Sequence, residues 1–137
     1  MSLYSSRTFD LATLLRAAGA ITATATEAII LDIGAGLMDV DWINDVLAVK
    51  TSVGDEKYTV ILEGSNVAAM TSGIVEIGRC DFGNVTTPIT TVTGTGRFLT
   101  PIRNEVNGVL YRYLRVQTTI IGTLPSTNFV SWLAKDE

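Results

Sequence analysis

The stretch NGVLYRYLRVQTTII, residues 107–121, decides how the rest of the chain is read. Asn107-Gly108 is a dipeptide that two-residue type I′ hairpin turns favour, because both central residues need positive φ. It leads into VLYRYLRVQTTIIGT (109–123), the longest run of strand-forming residues in the chain. On a strand, alternate side chains share a face. Tyr111, Tyr113, Arg115, Gln117 and Thr119 then lie on one face. Leu110, Arg112, Leu114, Val116, Thr118 and Ile120 lie on the other, which is the core face with Arg112 as an intruder. A guanidinium there needs a carboxylate nearby or a position at the sheet's rim, and Glu63 and Glu76, each on an expected strand, are the candidate partners. The first face, with two tyrosines and an arginine, admits three readings. It is ordinary strand surface, a protein interface, or a stacking platform for nucleic-acid bases.

Charge separates these readings. The 137 residues carry 10 Lys and Arg against 14 Asp and Glu, a net charge of -4. A protein that coats nucleic acid normally carries a basic footprint, so the protein-interface reading is favoured over the nucleic-acid one. Charged residues are only 18% of the chain, below the roughly 25% of an average soluble domain. Part of the surface is therefore neutral, built from Thr, Ser, Asn and Gly. The sequence contains no histidine, which removes Ser-His-Asp and Cys-His hydrolysis and the histidine-bearing zinc sites. The single cysteine, Cys80, reads as a small buried hydrophobe. No run approaches the length of a membrane span. Arg7, Asp10 and Arg16 interrupt the N-terminal region, so it lacks a signal-peptide core, and a cytosolic site of synthesis is expected.

Outward from 107–121, the rest of the chain also reads as β. EAIILDIG (27–34), VLAVKTSV (46–53), KYTVILEG (57–64), GIVEIGRCDF (73–82) and FVSWLAKD (129–136) are expected strands. The turn GDE (54–56) is expected to join VLAVKTSV and KYTVILEG as a hairpin. TPITTVTGTGRFLTP (87–101) is Thr-rich and broken by Gly, with Pro88 and Pro101 marking edges or loop ends. Seven to nine short strands with little helix read as an all-β, antiparallel β-sandwich. The first 20 residues stand apart. Phe9, Leu11, Leu14, Leu15 and Ala18 fall near helical spacing before Gly19. The chain therefore divides into an N-terminal arm or short helix, 1–20, and one sandwich domain, 21–137.

Three local motifs read as structure. DIGAG (32–36) lacks the third glycine of a dinucleotide fingerprint, since position 39 is Asp, and is a tight turn. DVDWIND (39–45) brings Asp39, Asp41 and Asp45 together, but Ile43 and Asn44 stand where a calcium loop needs an oxygen ligand and a glycine. It is an acidic turn before a strand, with weak Ca²⁺ binding as the sharper alternative. Asn84-Val85-Thr86 fits a glycosylation sequon, but without a secretory signal the match is chance. The acids carry no local signature of a paired-carboxylate site. No catalytic residue, cofactor or metal is expected.

Four features recur in order: TATATEAIILDIGAG (22–36), VLAVKTSV with YTVILEGS, a Thr/Gly-rich middle, and LYRYLRVQTTIIGT (110–123). This arrangement resembles the jelly-roll cement proteins of tailed bacteriophage capsids, also called decoration or stabilisation proteins. The resemblance spans roughly residues 20 to 137. RYLRVQTTIIGT (112–123) is its most specific part, and LEGS with Asn66 is the second. The resemblance implies a non-enzymatic virion protein, made in the host cytoplasm and placed on the capsid exterior. It would self-associate as a homodimer or homotrimer and staple adjacent copies of the major capsid protein, with no nucleic-acid or membrane partner. Tyr111, Tyr113 and Arg115, with Phe9, Leu14 and Leu15 of the arm, are the expected interface residues. Other readings are a head-tail joining or tail module, or a carbohydrate-binding module stacking sugar on Trp42, Trp132 and Tyr111.

Overall fold

A computed structural model describes residues 13–85, 91–93 and 95–134. Among these no α-helix occurs. The strands are β1 (Leu14–Arg16), β2 (Ala20–Ile21), β3 (Ala25–Thr26), β4 (Leu31–Asp32), β5 (Asp39–Val49), β6 (Lys57–Ser65) and β7 (Val75–Val85). They continue as β8 (Thr91–Thr93), β9 (Gly96–Arg103), β10 (Glu105–Val106), β11 (Val109–Leu110), β12 (Tyr113–Ile121) and β13 (Thr127–Ala134). Sheet A runs β1-β13-β5-β9, with β2 also on β13. Sheet B runs β3-β12-β6-β7-β8, with β4 also on β12. All these pairings are antiparallel. The chain is an antiparallel β-sandwich, jelly-roll-like in the way it crosses repeatedly from one sheet to the other.

Period-two patterning builds the sandwich. In β6, Tyr58, Val60 and Leu62 are fully buried while Lys57, Thr59, Ile61 and Glu63 are half-buried. In β12, Leu114, Val116, Thr118 and Ile120 are buried and Tyr113, Arg115, Gln117 and Thr119 are half-buried. Between the sheets Phe82 stacks on Tyr58 at 5.3 Å, lies 6.1 Å from Phe98 and meets Phe129 edge-on at 6.1 Å. Two of these rings come from each sheet, so the cluster ties the layers together. Truncating Phe82 to alanine would cost about 3–5 kcal/mol. Trp42 is fully buried and its indole N–H donates to Ser131 Oγ at 2.7 Å. Cys80 is buried, as its sequence context suggests, and burial pushes its thiol up to about 12.

Several expectations are corrected. VLAVKTSV and KYTVILEG are not hairpin partners, because β5 lies in sheet A and β6 in sheet B. The segment between them arches from one layer to the other. It is held by Tyr58, whose hydroxyl lies within hydrogen-bond distance of two acceptors, the carbonyls of Lys50 at 2.7 Å and Ser126 at 3.0 Å. DVDWIND is not a turn but the first half of the eleven-residue β5. Trp42 and Val46 point into the core, and Ile43 joins a second buried cluster with Trp132 and Ala134. EAIILDIG contributes only the two-residue β4, and FVSWLAKD does not close a sheet but sits as β13 inside sheet A. Pro101 lies within β9, an edge strand, where a missing N–H is tolerated.

The helical spacing around residue 14 is not a helix either. Leu14–Arg16 is a strand on β13, and Leu15 is a fully buried core residue instead of an interface residue. Leu14 is half-buried, opposite Trp132. Phe9 and Leu11 lie outside the described residues. Arg16 anchors this edge. Its guanidinium donates to Glu27 and to the carbonyls of Ala17, Gly19 and Phe129, and its Cζ sits 4.4 Å over the Phe129 ring. Nothing in the sequence pattern marked Arg16; its partners are far apart along the chain or are backbone atoms.

Candidate functional site: the outer face of sheet B

The segment 107–121 divides in two. Asn107 and Gly108 have φ of 52° and 83° and close the two-residue hairpin β10–β11, in which Val106 faces Val109. This is the geometry the Asn-Gly dipeptide favours. The strand does not continue from there. At Tyr111 and Arg112 the chain leaves the ladder. Tyr111 N still donates to Asn104 O and Arg112 O accepts from Ile33 N, and two asparagine side chains take over the rest of the backbone bonding. Asn66 Nδ2 donates to Leu110 O, and Arg112 N donates to Asn66 Oδ1. Asn104 is fully buried, and its Nδ2 donates to the carbonyls of Gly36 and Tyr111.

The break changes the side-chain phase. Leu114 to Ile120 keep the expected alternation, but the residues before them do not. Tyr111 turns to the core side of sheet B, where it packs over Gly64 beside Ile77. Arg112, expected on the core side, points outward with its side chain 46% exposed. Its carboxylate partner is neither Glu63 nor Glu76 but Asp32, which it holds in two bonds of 2.7 and 3.0 Å. The Arg112 guanidinium, followed by the Gly34 N–H, holds the Asp32 carboxyl below its usual range. Leu110, also expected in the core, is exposed on the hairpin.

Beyond the break, the outer face is a ladder of matched groups. Arg115 sits opposite Glu63 in register and its Nε donates to Glu63 Oε1 at 2.9 Å, with the two side chains 17% and 18% exposed. Glu63 is therefore the partner of Arg115 and not of Arg112. Glu76 pairs with Arg79 at 3.0 Å. Thr59 Oγ1 donates to Asp81 at 2.7 Å, and Thr119 Oγ1 to Gln117 at 3.1 Å. Tyr113 stands at the head of this row, with the Arg112 guanidinium 5.5 Å from its ring centre. At the same end of the molecule Val67, Ile74, Val109 and Leu110 are exposed. Of the expected interface residues, the structure brings Tyr113 and Arg115 together on this face and removes Tyr111 from it.

The acids of DVDWIND do not converge. Asp39 binds Arg103 at 2.8 Å, Asp45 binds Arg97 at 3.3 Å and Asp41 is buried. Among the described residues no group of three acidic or cysteine side chains is placed to share a metal ion. Each arginine of the described residues has a carboxylate partner. A cleft of about 450 Å³ opens between the 31–40 segment and Leu133. Its carboxylates, Asp32 and Asp39, are the ones already bound to Arg112 and Arg103. Trp42 and Trp132 are buried, so neither presents a ring to a sugar. Asn84 of the sequon is buried and bonded to Thr51 O and Glu56 Oε1. No helix of the described residues is long and apolar enough to cross a membrane. Compared with known protein families and with curated proteins, the chain matches none.

Proposed function

We propose that this chain is a non-enzymatic structural protein of a virion, one that binds the outer surface of a capsid and staples adjacent major capsid subunits. The observation that carries the reading is the outer face of sheet B. The segment with the cement-protein likeness, RYLRVQTTIIGT, supplies Arg112, Tyr113 and Arg115 to that face. There each arginine is already fixed by a carboxylate and apolar side chains flank the hairpin end. Pre-formed pairs lose little side-chain freedom on docking, which is where much of the cost of association lies. Every described arginine is paired, so the described arginines form no free stripe to follow a phosphate backbone. A staple works through repetition: a modest contact, on the order of 1,000 Å² at each seam, gains avidity when one oligomer engages several subunits.

The test is co-sedimentation with expanded and unexpanded phage capsids, the major capsid protein being sought first among the genes next to this chain's, together with light scattering. A dimer or trimer that pellets with expanded capsids, and loses binding on Tyr113→Ala with Arg115→Ala, supports the proposal. A strict monomer at high concentration that stays in the supernatant overturns it. Rings of fixed subunit number without capsid binding would point to a head-tail joining or tail part.

A further inference from the structure

The two ends of the sandwich carry surfaces of complementary kind. β5 runs from Asp39, at the cleft beside Leu133, to Val49, where the 50–56 arch begins. At roughly 3.3 Å per residue its eleven residues set these ends about 35 Å apart. At the arch end Leu124 tips the 122–126 turn. It is 73% exposed, and its φ of 52° lies in the left-handed region. A branched side chain is disfavoured there. Residue 125 is proline, which steers the residue before it toward extended backbone. The turn is nevertheless held fast. Thr123 bonds Asp55 through its N–H and its hydroxyl, and Ser126 N donates to the Tyr58 hydroxyl. Val53 of the arch and Ile121 before the turn are each 53% exposed. Left-handed backbone and an open leucine both cost stability, and an exposed side chain recovers little of it. Strain of this sort points to a contact outside the chain.

We propose that copies of this chain associate head to tail, with the Leu124 turn of one copy seated in the cleft of the next. The cleft offers about 450 Å³ and an apolar lining that includes Leu31, Ile33, Leu37 and Leu133. Its charged lining residues are both acids, Asp32 and Asp39. The described lysines, Lys50 and Lys57, both lie at the arch end: Lys50 N bonds Ser126 O, and Lys57 stands opposite Ile121. The acids of that end are engaged by their own surroundings, Asp55 by Thr123 and Glu56 by the N–H groups of Val53 and Gly54. Charge and shape therefore match between the two ends of the molecule. Asp32 and Asp39 each hold an arginine, and a carboxylate retains further acceptor sites. A contact between unlike surfaces leaves a free turn at one end and a free cleft at the other, so it builds a ring where the rotation closes. The apolar side chains of the turn cover far less than the roughly 800 Å² per partner of a stable pair. Each junction is weak, and association grows with concentration.

Light scattering over a concentration series tests it with the unchanged full chain, Leu124→Asn and Leu37→Lys; both substitutions fall on exposed side chains. The unchanged chain is expected to gain mass with concentration, and each variant to stay monomeric. Each variant keeps the surface that the other lacks, so an equal mixture of the two is expected to form a dimer that grows no further. A monomeric unchanged chain, variants that associate as it does, or a mixture that stays monomeric overturns the proposal. The second measurement is urea unfolding of Leu124→Asn. Its midpoint is expected to rise, because asparagine tolerates left-handed backbone. A lower midpoint would place the leucine's contacts within its own chain and overturn the proposal. The outer face of sheet B takes no part in this contact, so capsid binding, read on Tyr113→Ala with Arg115→Ala, tests the proposed function separately.

Discussion

Tyr111 lies against Gly64: a Cβ on Gly64 would stand 3.2 Å from Tyr111 Cβ and 2.9 Å from Ile77 Cγ1. This contact turns Tyr111 to the core side and sends Arg112 outward. Gly64→Ala has no room without moving one of these neighbours. It is expected to destabilise by about 1–3 kcal/mol, the usual range for overpacking. The check is the urea midpoint; an unchanged midpoint would mean that Tyr111 gives way freely and does not set the phase.

Arg112 and Arg115 are both salt-bridged, but the surroundings differ. Arg115 and Glu63 are mostly covered, so Arg115→Ala leaves a carboxylate short of its partner. A loss of roughly 1–2 kcal/mol is expected, between the exposed and buried limits. Arg112 is half exposed, and Arg112→Ala should leave the unfolding midpoint unchanged while altering partner binding. A double-mutant cycle of Arg115→Ala with Glu63→Gln, repeated at high salt, measures the pair directly. A coupling that disappears in salt would place Arg115 with the ordinary surface pairs.

Acid should open the end of the sandwich where the 50–56 arch meets the 122–126 turn. Burial raises the Glu56 carboxyl, but N–H donors, including those of Val53 and Gly54, lower it further and leave it below its ordinary value. The Thr123 backbone N–H and hydroxyl lower Asp55 in the same way. A carboxyl depressed in the folded state stabilises fully above its unfolded value, about 4. That contribution is lost as the pH falls through the folded value. Chemical denaturation between pH 6 and pH 2 should therefore show stability falling below about pH 4. Glu56→Gln should flatten that fall; an identical profile would remove Glu56 from the account.

The core carries polar atoms of two kinds. Ser131 Oγ accepts the Trp42 indole N–H, and Ser131→Ala strands that donor at an expected cost of about 1–3 kcal/mol. Thr118 is fully buried and its hydroxyl finds no partner. Thr118→Val keeps the shape and removes the desolvated hydroxyl, with an expected gain of about 1 kcal/mol. Thermal unfolding of the two variants should move in opposite directions. A loss in Thr118→Val would mean that its hydroxyl is solvated in solution.

The sequence made the β-class readable because β6 alternates from Lys57 to Gly64 and β12 along its length, and the Asn107-Gly108 turn because it needs only local backbone chemistry. What could not be read was decided over long range. GDE looks like a hairpin turn, but a turn signal does not say whether the returning strand joins the same sheet. Leu14 and Leu15 fit a helical spacing that a strand against β13 satisfies equally. The phase change at Tyr111 depends on Asn66 and Asn104 supplying bonds that a ladder would otherwise provide, and Asn66 lies far from 111 in the chain. Arg112 was recognised as needing an acid, but Asp32 was missed because the phase was one residue off. A search for Asn side chains able to replace ladder bonds beside a glycine would have been the available signal.

β9 ends sheet A with a proline in mid-strand, flanked by Arg97 and Arg103, each tied to an acid on β5. A strand of this kind makes a poor template for another chain's backbone. At that edge the molecule resists runaway growth into fibres. Copies that meet must do so through the shape and chemistry of side chains, and contacts of that sort can repeat about an axis and then stop.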